Sequence, residues 1–148
     1  MLFRSMIGVQ ASGSAAIYNA FAAQSVEIAP VAAHTVADSI AADFPADGLH
    51  GLQAATQSGG AYLTVTDAEI LTAIPELARL TGVFAEPSCA AAYAGLVKAA
   101  GSGLVAKQER VVLLITGSGL KDVATATRTV GAPPVIAPTI AELRQALT

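Results

Sequence analysis

Short apolar runs bounded by turn residues take turns with longer alanine-rich stretches of helical period along this chain, and that alternation narrows its fold more than any other feature. Runs of period two followed by stretches of period 3.6 bury their hydrophobic faces best as an α/β domain with a parallel sheet. The expected architecture is three-layer, with helices on both faces of a mainly parallel sheet. At 148 residues the chain has room for one compact domain, so residues 1–148 read as a single segment. A hydrophobic content of 53% against 13% charged residues marks a sequence that forms a core.

Element by element, Met6 to Gln10 reads as a buried strand, and Ser12-Gly13-Ser14 offers capping groups for a helix over Ala15 to Ala23. Thr35 to Ala42 is expected to form a short helix ended near Pro45, and Gly48 to Thr56 another, closed by Ser58-Gly59-Gly60. Ala61 to Val65 alternates in the β manner. Thr66 and Glu69 then have capping-box spacing at the start of a helix with Ile70, Leu71, Ile74 and Leu77 at core spacing, in which Pro75 should kink the axis. Val83 to Pro87 is a short extended piece feeding a helix from Ser88 to about Ala100. Val111 to Ile115, continuously apolar and β-branched, has the character of a central strand covered on both faces. Pro133 to Ile136 reads as an extended edge segment, and Thr139 as the cap of a last helix carrying Ile140, Leu143 and Leu147.

Charge and composition exclude several classes of function. Eight basic against eleven acidic residues give a net charge of −3, without the basic excess that a nucleic-acid partner requires. Val111 to Ile115 is the longest strongly apolar run, far below the roughly 20 residues that cross a membrane. Met1 to Gln10 lacks the apolar stretch of a secretory signal, so a soluble, cytoplasmic protein is expected. One cysteine, Cys89, and two histidines, His34 and His50, give neither an internal disulfide nor zinc-site spacing.

Chemistry is best sought at Thr116-Gly117-Ser118-Gly119, which follows the Val111 to Ile115 run. Two glycines let backbone approach a ligand, a hydroxyl emerges at the carboxyl end of a buried strand, and that is the edge where open α/β sheets bind ligands. The same tetrapeptide also serves as an ordinary strand-to-loop turn. Glu86 lies in an apolar setting and either caps the helix that follows or lines a pocket. Cys89 reads as a small core residue, since nothing in the sequence brings a histidine beside it. Lys98, Lys107 and Lys121 fall at helix ends or in charged loops, where a solvated ammonium is expected.

Taken in order, Met6-Ile7-Gly8-Val9-Gln10-Ala11, Thr35-Val36-Ala37-Asp38-Ser39-Ile40, Ser58-Gly59-Gly60-Ala61, Val65-Thr66-Asp67-Ala68-Glu69-Ile70, Phe84-Ala85-Glu86-Pro87 and Thr116-Gly117-Ser118-Gly119-Leu120-Lys121-Asp122 resemble the carboxyl-terminal part of threonine synthase. That resemblance implies the pyridoxal-phosphate fold of the tryptophan-synthase-β-like enzymes, and conversion of O-phosphohomoserine and water into threonine and phosphate. It also implies that the lysine attaching the cofactor, the asparagine beside the cofactor's phenolic oxygen and the glycine-rich phosphate loop lie upstream of the matching region. The chain by itself is then expected to be inactive and to pair with that part or self-associate. Thr116 matches the hydroxyl residue that meets the pyridine nitrogen, Gly117 stands beside it, and Glu86 matches a pocket-lining glutamate. Serine and threonine dehydratases share the Thr-Val-Ala-Asp and Glu-Pro types of segment and form the alternative. Some dehydratase-like relatives carry Glu-Pro after the first strand, where this chain has Gln10-Ala11. Ser118 departs from the bulkier residue often found in threonine synthases. A module that binds a small anion or amino acid without cofactor is the non-enzymatic alternative.

Overall fold

The computed structural model describes residues 4–147, so Met1 to Phe3, part of the amino-terminal segment read above, lie outside the described residues. Strand β1, Ile7–Ala11, pairs in parallel with β2, Ala61–Val65, with Ile7 opposite Ala61 and Ala11 opposite Val65. Between them lie α1, Ala16–Ala22, a 3₁₀ turn at Asp38–Ile40, and α2, Gly48–Gln57. After β2 come α3, Asp67–Thr81, and α4, Pro87–Gly101, then a second 3₁₀ turn at Gly119–Asp122 leading into α5, Val123–Val130, and finally α6, Ile140–Ala146.

Strand alternation assigns the layers. On one face a Cβ at Gly8 would enter the Tyr62 ring, and Tyr62 packs at a tilt against Phe21 of α1, with ring centroids 5.7 Å apart, and abuts Gly51 of α2. On the other face Val9 meets α4 at Gly95, where a side chain would collide with it, so glycine there sets how closely helix and strand approach. Helices α1 and α2 therefore cover one side of the sheet and α4 the other, giving the expected three layers. Beyond α4 the core continues into α3, through Val65, Ile70, Ala73, Ile74 and Leu77 against Ala85, Ala90, Ala91 and Ala94. The capping box forms: the Thr66 hydroxyl accepts from Glu69 N at 3.2 Å, and the Glu69 carboxylate accepts from Thr66 N at 2.6 Å. Helix α3 continues through Pro75 to a left-handed Gly82.

Lys98 of α4 reaches the outer edge of β2 and donates to the Thr64 carbonyl at 2.8 Å. Among the described residues no helix is long and apolar enough to cross a membrane.

Three expectations are corrected. Thr35 to Ala42 forms only the turn at Asp38–Ile40. Its polar groups bond elsewhere: Asp67 accepts from the Thr35 hydroxyl and Val36 N, and buried Ser14 bonds the Ile40 and Ala42 carbonyls and Ala42 N, which diverts the backbone from helical pairing. Val111 to Ile115 is not a strand; Val112 and Leu114 are 72% and 70% exposed, and no strand among the described residues pairs with the run. A β-branched run takes its structure from ladder partners and cover; here it has no ladder partner, and only Ile115 packs against the core. Pro133 to Ile136 is likewise outside any ladder, with Val135 fully exposed. Helix α6 forms with its Thr139 cap, whose hydroxyl accepts from Glu142 N at 3.2 Å, yet Ile140, Leu143 and Leu147 face outward.

Candidate functional site

Two segments far apart in sequence are zipped together at the amino end of α4. Ala85 and Ser118 form an antiparallel bridge, closed by Glu86 N donating to the Gly117 carbonyl at 3.1 Å and Gly119 N donating to the Phe84 carbonyl at 2.9 Å. This joins the Glu86-Pro87 helix start to the Thr116 to Gly119 loop. Pro87 suits the first helical turn, where its missing N–H is no loss. The loop then winds into the 3₁₀ turn, where Leu120 N donates to the Ser118 hydroxyl at 3.3 Å, and Asp122 caps α5 by accepting from Thr125 N at 3.1 Å. Hydrogen bonds from the Thr125 side chain first, and then from its backbone, hold the Asp122 carboxyl below its ordinary range.

Glu86 occupies the cap position of α4 but its side chain makes no capping bond. The carboxylate is buried and turns toward the loop instead. Its Oε2 meets Lys121 Nζ at 2.9 Å, with the glutamate side chain 9% exposed and the lysine 61%. The hydrogen bond and charge of Glu86 raise the Lys121 ammonium above its ordinary pKa. Oε1 lies 3.8 Å from the Cys89 thiol, which donates to it. The same sulfur accepts from Gly117 N at 3.0 Å and lies 3.5 Å from the Thr116 hydroxyl. A Cβ at Gly117 would fall inside the Glu86 carboxyl group, so only glycine leaves room for it.

Thr116, Gly117 and Glu86, the three residues singled out in the sequence, thus form one cluster. Thr116 is exposed at its mouth, and Glu86 is buried at its base. Two further members differ from their sequence reading. Cys89 is buried as expected, but it also joins Thr116 to Glu86; the signal was its spacing of one helical turn from Glu86. Lys121 is not a free ammonium but the partner of Glu86, brought back by a turn that no local pattern announces. Neither histidine belongs to the cluster, and among the described residues no group of three or more His, Cys, Asp and Glu side chains could hold a metal.

The arrangement offers a hydrogen-bonding group to a ligand. An exposed hydroxyl sits on a loop without side-chain bulk at Gly117, and a buried carboxylate with its lysine stiffens the base. Pyridoxal phosphate fits such a wall at its ring edge, whereas no lysine of the cluster is free to attach it, Lys121 being engaged by Glu86.

Comparison with known proteins points the same way. The family described as pyridoxal-phosphate dependent enzyme matches residues 4–117. The threonine synthase of Methanosarcina acetivorans is 38% identical over 143 residues, which are 96% of this chain and 35% of that protein. That of Halalkalibacterium halodurans is 40% identical over 133 residues, 90% of this chain and 36% of the relative, and that of Mycobacterium leprae 43% over 124 residues, 83% and 32%. The chain spans about a third of the length of these curated relatives. Among solved structures, a threonine deaminase from T.th. superposes with a TM-score of 0.57 over 77% of this chain and 39% of that one, at 20% identity, a likeness of fold.

Proposed function

Because the chain belongs to the pyridoxal-phosphate-dependent enzymes, we propose that it forms one wall of the cofactor cleft of a threonine-synthase-type lyase, acting on O-phosphohomoserine once the opposite wall is supplied. The observation that carries this reading is the meeting of Thr116, Gly117 and Glu86 in one hydrogen-bonded cluster, 30 positions apart in sequence between Glu86 and Thr116. Thr116 and Gly117 would hold the cofactor's ring edge, with Glu86 beneath them. Bound pyridoxal phosphate supplies carbanion stabilisation. The hydroxyl of Thr116 would meet the ring nitrogen without strongly favouring its protonated form, unlike a carboxylate, which would limit side reactions. Gly117 leaves the approach open, and Glu86 with Lys121 holds the loop in place. The amine that attaches the cofactor and moves protons belongs to the opposite wall.

The test is complementation. Mixed with the separately produced amino-terminal two-thirds of a similar threonine synthase, the chain is expected to release phosphate from O-phosphohomoserine, and Thr116→Val to lower kcat by roughly tenfold, the scale of one hydrogen bond to a reacting centre. Release of ammonia from threonine instead would replace this reading with the dehydratase alternative. Turnover by the chain alone with pyridoxal phosphate would overturn the two-wall reading, and calorimetric binding of phosphate or amino acids without cofactor would favour a binding module.

A further inference from the structure

We infer that Lys121 is a positioning residue that, by pairing with Glu86, latches the Thr116–Gly117 loop closed over Cys89. The role of the latch in presenting the Thr116 hydroxyl rests on the reading just given, but the latch itself is a property of these four side chains and one backbone amide.

A buried carboxylate is costly without a compensating partner. Among the described residues the one ion pair to Glu86 comes from Lys121, on the far side of the loop. The carboxyl group lies against Gly117, in space that any side chain there would take, so loop and carboxylate are packed directly together. Its other oxygen takes the Cys89 thiol, the sulfur takes Gly117 N, and Thr116 closes the chain. With the thiol proton on the Glu86 side, the Thr116 hydroxyl keeps its own proton for the sulfur or for a ligand. The titratable groups bearing on the ammonium are Glu86 first, then Cys89 and Asp38. Removing the ammonium therefore leaves a buried carboxylate facing one weak donor, and the least disruptive relief is for the loop to open and let water in.

Cys89 is the single cysteine of the chain and is 6% exposed beneath this loop, so its reaction with a soluble disulfide reagent reads the opening directly. Labelling of the unmodified chain is expected to be slow, roughly tenfold faster in Lys121→Met, and within about twofold of the original in Lys121→Arg, which restores the charge. A neutral substitution that labels at the original rate, or an arginine that labels as fast as methionine, overturns the latch. If Lys121→Met does not fold by circular dichroism, raising salt to about 1 M with the unmodified chain screens the half-exposed pair and is expected to speed labelling severalfold; a salt-independent rate overturns the proposal. Because the labelling needs no cofactor, its outcome is separate from that of the complementation assay, which alone decides the reading of Thr116.

Discussion

At the residue scale, hydrogen-bonding side chains next to backbone explain most of what holds the molecule's corners. Glu69 shows the sign. Its carboxyl is held below the ordinary 4.5, first by Thr66 N–H, with Lys98 adding a smaller effect. A group whose folded pKa is depressed contributes stability that is present above its unfolded value and lost as pH falls through the folded one. Glu69→Gln should therefore flatten the fall in stability below about pH 4.5, and Thr66→Ala should lower the urea-unfolding free energy by about 1 kcal/mol at neutral pH; an acid limb as steep in the glutamine variant would remove Glu69 from the account. Thr116, Gly117 and Glu86 were legible as candidates from residue type, a hydroxyl, a glycine and a lone acid in apolar surroundings, although the buried strand expected to lead into Thr116 does not form. Lys121 was not, since its role depends on a partner 35 positions away, and no local spacing encodes a contact made by the path of the chain.

At the element scale, period was a reliable guide wherever an element brings its own cover. Helices α2, α3 and α4 and both strands appear within one or two residues of their expected bounds. Val111 to Ile115 failed because β-branching states a preference for a laddered, covered environment and cannot create one. Thr35 to Ala42 failed because Ser14 and Asp67 compete successfully with the helix for its polar groups. Pro75 is a third case: it removes a hydrogen bond that α3 would otherwise make to the Leu71 carbonyl, yet the helix continues, held by Ile70, Ile74 and Leu77 in the core. Pro75→Ala is accordingly expected to stabilise the chain by about 2 kcal/mol, the helix-interior penalty less the entropy that proline removes from the unfolded state. A urea midpoint that stays put or falls would mean that the contacts of the ring, which lines a cavity between α3 and α5, outweigh the missing bond.

At the scale of the whole molecule, the apolar surface is unevenly placed. Val112, Leu114, Leu120, Val130, Val135, Ile140 and Leu147 are all at least two-thirds exposed and lie beyond residue 110, whereas before it only Val26 among the described large hydrophobics is exposed to that degree. Most of the large apolar side chains at the surface to this degree thus lie on the last quarter of the chain, which contributes only Ala126 to the buried core. Association, with itself or with a complementing polypeptide, is the expected remedy. Sedimentation should show a mass that rises with concentration, or a stable complex with the amino-terminal part; a monomer at all concentrations that ignores that part would count against it. The outer margin of the sheet is guarded against backbone pairing. In a parallel pair alternate carbonyls of β2 point away from β1, and Thr64 offers one of them to Lys98. An amine seated there obstructs an incoming backbone at that margin, which discourages edge-to-edge stacking into fibrils.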